Sequence, residues 1–283
     1  MKVLTRGFLK IVFLICFMVP FALHASEEKP DISETLFRHI LNGVELDLFP
    51  GLPPVILPFG MSVHQFMIGL GVFLILSVFI FGVRKKTLKP RGIAILIEAA
   101  VLFVRDDIVY PIMGEERGEK WLSFFLSLFV FLFTVNIIGL VPALKTATGN
   151  INVTGAMAGL VFVLTFLVGF KELGLSGFFK NMYPEGVNPF IGVFVVLLEF
   201  IGIFTKSIVL SLRLFANMFA GHLAILSFLV LIFVVSPFFS FVSVPFAVFT
   251  YLLEVLVAFL QAFVFTLLSC IFIMMASTPE GEQ

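Results

Sequence analysis

"SLRLFANMFAGHL", residues 211–223, is the stretch on which the fold turns. It sets Arg213, Asn217 and His222 in a run that is otherwise almost wholly apolar, with no turn signal on either side. Extended outward, the run meets no helix breaker from Pro189 to Val235. That is roughly 45 residues, or about 70 Å of helix at about 1.5 Å per residue. The hydrocarbon core of a bilayer is only about 30 Å thick, so such a helix tilts steeply or bends. It also carries a fixed positive charge into the membrane, and that charge needs a reason.

The rest of the chain supports a membrane setting. It is 60% hydrophobic and 13% charged, with 39 Phe, which leaves too little polar surface for a soluble domain. Lys plus Arg and Asp plus Glu balance at 18 each, so no basic excess points to nucleic acid. Cys16 and Cys270 both lie in apolar runs, where neither a structural disulfide nor a metal site is expected. There is no phosphate loop of the Walker kind, no HExxH and no GxSxG. No cofactor is therefore expected, and if ATP is involved it is made or hydrolysed elsewhere.

Residues 1–25, "MKVLTRGFLKIVFLICFMVPFALHA", combine a basic start, an apolar core and a small residue at Ala25, as a secretory signal peptide does. An uncleaved first anchor is the alternative. Residues 26–60 read as an exported N-terminal segment and 61–277 as the membrane domain, with a cytoplasmic tail at 278–283. Met61 to Val83 is long enough to span, and "RKKTLKPR" after it carries five positive charges in eight residues. The positive-inside rule places that cluster in the cytoplasm. The apolar run between Arg91 and Arg105 is too short to cross and reads as an interfacial helix. Trp121 opens a span to Pro142, and Val153 to Phe170 returns to a cytoplasmic loop at 171–188. After the long helix, the outer turn "SPFFSFVSVP" leads into a last helix, Phe246 to Ala276. The expected fold is an all-α membrane protein of five transmembrane helices and one interfacial helix, the last two spans forming a long, steeply tilted hairpin.

Polar residues inside these spans are few and patterned. Glu199, Lys206 and Arg213 are seven apart, a spacing that drifts only about 20° per step and makes one stripe. Asn217 stands one turn beyond Arg213 and near the same face, whereas His222 is on the opposite side. On the last helix, Glu254 and Gln261 are also seven apart. Counting from the outer turn puts His222 level with Glu254, and Arg213 deeper, level with Gln261. An intramembrane charge costs about 2.5–3.5 kcal/mol at a helix centre, and Arg cannot deprotonate to escape it. Such a charge must line water or face an opposing carboxylate, and since the last helix offers only neutral Gln261 at that depth, the anion would belong to another subunit.

"SLRLFANMFAGHL", the later "LQAFVF" and the terminal "MMAS", together with "NIIGLVP" at 136–142 and "NVTGAMA" at 152–158, closely resemble the subunit a family of the F-type ATP synthase. The resemblance covers roughly residues 60 to 277. It implies a stator subunit; the signal peptide, which many members lack, agrees with an exported N-terminus and suggests a bacterial inner membrane, with the N-terminus periplasmic and the C-terminus cytoplasmic. It implies a ring of c subunits, the b subunits of the peripheral stalk, the rest of the synthase and membrane lipid as partners. Arg213 matches the family's stator arginine, facing a rotor carboxylate and separating two aqueous half-channels. Asn217, His222, Glu254 and Gln261 match polar positions of the outer half-channel, and Glu199 and Lys206 match positions towards the cytoplasmic exit. In some members the carboxylate is on the fifth helix and the imidazole on the sixth; here they are exchanged. Gly139 stands where some members have an acidic residue, so no role is assigned to it. The reading from another class is a self-contained ion channel or secondary transporter, but neither repeated halves nor a broken-helix substrate site is visible.

Overall fold

The computed structural model describes residues 45–46, 55–56, 62–83, 92–141, 146–183, 189–234, 238 and 240–278. The signal-peptide segment, most of the exported segment, the "RKKTLKPR" cluster and the tail beyond Thr278 lie outside them. Ahead of the helices, β1 (Glu45–Leu46) and β2 (Val55–Ile56) make a two-residue antiparallel pair, Glu45 opposite Ile56. Everything else described is helical: α1 (Val63–Val83), α2 (Ile93–Leu102), α3 (Tyr110–Gly139), α4 (Ile151–Asn181), α5 (Pro189–Val234) and α6 (Ser240–Ser277). A seven-residue π-helical stretch, Phe103–Val109, joins α2 to α3, and a 3₁₀ turn, Ala147–Gly149, precedes α4. Five of the resulting stretches are long and apolar enough to cross a membrane.

Two glycines bend helices that read from the sequence as separate pieces. Gly114 (φ 72°, ψ 171°) breaks α3 and Gly174 (φ 71°, ψ 166°) breaks α4, both in a region that is essentially restricted to glycine. The span expected to start at Trp121 is therefore preceded by helix from Tyr110, with the break at Gly114 between. The loop expected at 171–188 is helix as far as Asn181, turned at Gly174. A backbone break needs no change in composition, so the polar residues of 171–181 looked like loop. Neither glycine has a neighbour within 4 Å of where a Cβ would sit, so strain alone opposes substitution. Gly174→Ala is expected to destabilise by about 1–3 kcal/mol, read as earlier thermal aggregation of the solubilised protein; an unchanged transition would contradict the break.

Helix α5 runs 46 residues and α6 38. Pro245, expected in the outer turn, lies inside α6, which starts at Ser240. As the sixth residue of the helix it lies past the first four N–H groups, which have no intrahelical partner in any case, so it removes one helical hydrogen bond, to the carbonyl of position 241 in the first turn. The core is a layer of large side chains between α3, α4, α5 and α6. Phe125, Leu132, Leu210, Leu214, Phe265 and Ile273 are all nearly or fully excluded from solvent. Close approach of α6 is helped by Ala258 and Ala262, both completely buried. At the far end three helices are tied at Thr278. Arg117 Nη1 donates to its hydroxyl (3.2 Å), and Asn181 Nδ2 donates to its carbonyl (3.1 Å). This frame holds α5 and α6 side by side, where the polar residues meet.

Candidate functional site

The polar side chains of α5 fall on two faces. Leu210, Leu214 and Met218 point into the bundle and are buried, so residues on the other side of the helix face outward. Arg213 is one of these, exposed among Val209, Leu212 and Ala216, which are exposed as well. No hydrogen bond or ion pair links Arg213 to any described residue. The expected level pairing of Arg213 with Gln261 is not what forms. Gln261 is buried and its Oε1 accepts from Asn217 Nδ2 at 2.9 Å. The roughly 40° between positions 213 and 217 is enough to send one side chain out of the bundle and the other into it.

His222 and Glu254 are brought together: Nδ1 lies 2.6 Å from Glu254 Oε1, with the carboxyl 3% exposed as a residue. The other ring nitrogen, Nε2, lies 2.9 Å from the carbonyl oxygen of Gly139. A carbonyl only accepts, so Nε2 must carry a hydrogen. That leaves Nδ1 as the nitrogen that exchanges its proton with Glu254, either accepting from the carboxylic acid or donating to the carboxylate. The Gly139 carbonyl is free for this because α3 ends there, and the last four carbonyls of a helix lack intrahelical donors. Residue 139 thus takes part through its backbone, which no side-chain comparison could reveal.

Room for the carboxyl comes from Gly221. A Cβ there would fall 2.7 Å from Glu254 Oε1 and 2.9 Å from its Cδ. The carboxyl is held by His222 and could only give way by breaking that contact. Gly221→Ala is accordingly expected to destabilise the fold by about 1–3 kcal/mol, the cost of leaving the buried carboxyl without its partner. The measurement is the thermal transition of the solubilised protein, and an unchanged transition would contradict the packing.

Among the described residues, three buried side-chain atoms have no hydrogen-bond partner: Ser243 Oγ, Glu254 Oε2 and Gln261 Nε2. Their positions on α6, eleven and seven apart, lie within about 20° of one face. Buried polar groups are normally bonded to protein or to water, so this face of α6 is chemically suited to a file of water.

On the other side of Arg213 along α5, Lys206 Nζ is 3.4 Å from Glu199 Oε1. Both side chains are partly exposed, at 38% and 44%. They border a cavity of about 180 Å³ with Thr165, Asn181 and Ser207 on its walls. At about 1.5 Å per residue, Glu199 and His222 stand roughly 35 Å apart along the helix, with Arg213 between them. Residues 222 and 254 were legible from their spacing. Gly139, Gly221 and Asn136 were not, because each acts through tertiary contact. Asn136 is fully buried; its Oδ1 accepts from Thr148 Oγ1 at 2.9 Å. Among the described residues no group of His, Cys, Asp and Glu is arranged to hold a metal ion.

Comparison with known proteins agrees over most of the chain. Residues 65–274 match the family described as ATP synthase A chain. The ATP synthase subunit a of Myxococcus xanthus (strain DK1622) is 43% identical over 231 residues, 80% of this chain and 76% of that protein. That of Chloroherpeton thalassium (strain ATCC 35110 / GB-78) is 42% identical over 259 residues, 87% and 77% of the two chains. That of Chlorobium phaeobacteroides (strain DSM 266 / SMG 266 / 2430) is 39% identical over 272 residues, 91% and 78%.

Proposed function

The chain belongs to the ATP synthase A chain family, a multi-pass membrane subunit of the F-type ATP synthase, and from that premise we propose that it is the proton-conducting stator. In this reading Arg213 faces a ring of c subunits, each bearing a carboxylate. The single observation that carries it is the outward exposure of Arg213 on an apolar face, with no counter-charge among the described residues of its own chain. An uncompensated guanidinium in that position calls for an anion from a neighbouring subunit.

In this reading two half-channels lie on either side of Arg213, and the polar groups found on both sides support it. From the outer side, protons reach the ring past Ser243, the His222–Glu254 couple and the Asn217–Gln261 pair. His222 accepts a proton at Nδ1 only, since Nε2 is held by the Gly139 carbonyl. On the cytoplasmic side the cavity beside Glu199 and Lys206 receives protons leaving the ring. A permanent cation favours the ionised form of a carboxylate that approaches it. Rotor carboxylates therefore release their protons before passing Arg213, and none can be carried straight across. Each proton moving through 100 mV contributes about 2.3 kcal/mol to rotation. The N-terminus lies in the periplasm and the C-terminus in the cytoplasm, and b subunits of the peripheral stalk hold the chain against rotation.

A self-contained channel is the competing reading, and the two differ in one measurement. Reconstituted alone in liposomes, the chain is expected to conduct no protons, and conductance is expected to appear only with the rotor ring present. Conductance by the chain alone would overturn the stator reading.

A further inference from the structure

One buried titratable side chain has no part in the pathway just described. His64, in the first turn of α1, is 4% exposed. Its Nδ1 lies 3.0 Å from the carbonyl oxygen of Thr146 and, since that oxygen only accepts, donates to it. Thr146 begins a buried chain of hydrogen bonds. Its hydroxyl is 3.1 Å from that of Thr148, which donates to Asn136 Oδ1 at 2.9 Å on α3. Thr148 spends its hydrogen on Asn136, so Thr146 is the donor to Thr148. Asn136 Nδ2 in turn points at the carbonyl of Ala258 on α6, at 3.5 Å.

The same corner presses on the end of α3. A Cβ added at Gly139 would fall 2.6 Å from Thr146 Oγ1 and 2.9 Å from Thr146 Cα. Thr146 therefore seats directly against the residue whose carbonyl holds His222 Nε2. Among the described residues, His64 is the only α1 side chain with a hydrogen bond to this corner that the structure records. The corner is joined to α3 by the Thr148–Asn136 bond on one side and to α1 by the His64 bond on the other.

We propose that His64 is a positioning residue for the outer proton path. Its Nδ1–H clamps the Thr146 corner onto Gly139, and so keeps the Gly139 carbonyl aimed at His222 and the exchanging proton on the Nδ1 side. This rests on the stator reading given above. The role needs a donor at the Nδ1 position and does not need an imidazole. Asn places an amide N–H close to that position; Leu fills similar space with no donor.

The test is proton conductance through reconstituted membrane sectors, normalised to the amount of this subunit in each purified preparation. His64→Leu is expected to lower conductance about fivefold, as loss of one net hydrogen bond would, and His64→Asn to restore most of it. Gly139→Ala pushes the same corner from the other side and is expected to reproduce the loss; it decides the matter if His64→Leu does not assemble. Normal conductance in His64→Leu, or in Gly139→Ala where that variant decides, overturns the proposal. Equal losses in His64→Leu and His64→Asn also overturn it. Glu254→Gln serves as the reference: if it too conducts normally, the outer path itself is wrong. If it fails to conduct while His64→Leu is normal, only the role of His64 falls.

Discussion

Inverted membrane vesicles carrying Arg213→Ala are expected to lose ATP-driven proton pumping down to background, while the soluble sector continues to hydrolyse ATP. The size of the effect follows from what the side chain alone supplies. Arg213 is exposed on the outward face of α5, where Val209 and Leu212 beside it are 44% exposed and apolar. No other described cation shares that position; Lys206 lies about two turns away and is paired with Glu199. Without the guanidinium, a rotor carboxylate has nothing to drive its ionisation there and can pass still protonated, so rotation and transfer uncouple. Arg213→Lys is expected to fail as well, because an ammonium lacks the planar fork and, unlike a guanidinium, can lose its proton in a desolvated site. Pumping at the wild-type rate in Arg213→Ala would remove the stator arginine from the mechanism.

The second large effect is expected at Glu254. Replacing its carboxyl by an amide keeps the shape and removes the proton-exchanging oxygen that lies 2.6 Å from His222 Nδ1. Positioned acid–base groups contribute about 10²-fold or more, so Glu254→Gln is expected to slow conduction by about that factor. The double exchange His222→Glu with Glu254→His keeps one acid and one base at the same two positions. It is expected to recover part of the loss, and only part, because Gly221 is shaped around the carboxyl of residue 254 and the Gly139 carbonyl awaits an N–H from residue 222. Absence of any recovery would mean that the two side chains act independently.

How far the sequence could be read depended on whether the information was local. The extent of α5 was legible almost to the residue, since Pro189 opens it and nothing interrupts it before the outer turn. The meeting of His222 with Glu254 was legible because an antiparallel hairpin makes depth a matter of counting. Counting alone could not separate Arg213 from Asn217. Both were assigned to one side, yet the bundle takes in Asn217 and excludes Arg213. Gly174 turns a helix that continues into a polar stretch, so residues 171–181 passed for loop. The Gly139 carbonyl and the His64 corner lie further from the reach of sequence. One is a backbone atom left over at a helix end, and the other is a bond between residues 82 positions apart.

The outward placement of Arg213 is tested most directly by disulfide cross-linking to the rotor. With Cys16 and Cys270 replaced, single cysteines at Val209 and Ala216, about one turn either side of Arg213, are paired with a cysteine next to the rotor carboxylate. Cysteines at the buried Leu214 and Met218 serve as controls. The expected result is rapid cross-linking from positions 209 and 216 and none from 214 or 218. Cross-linking from the buried pair, or none from the outward pair, would contradict a rotor-facing arginine.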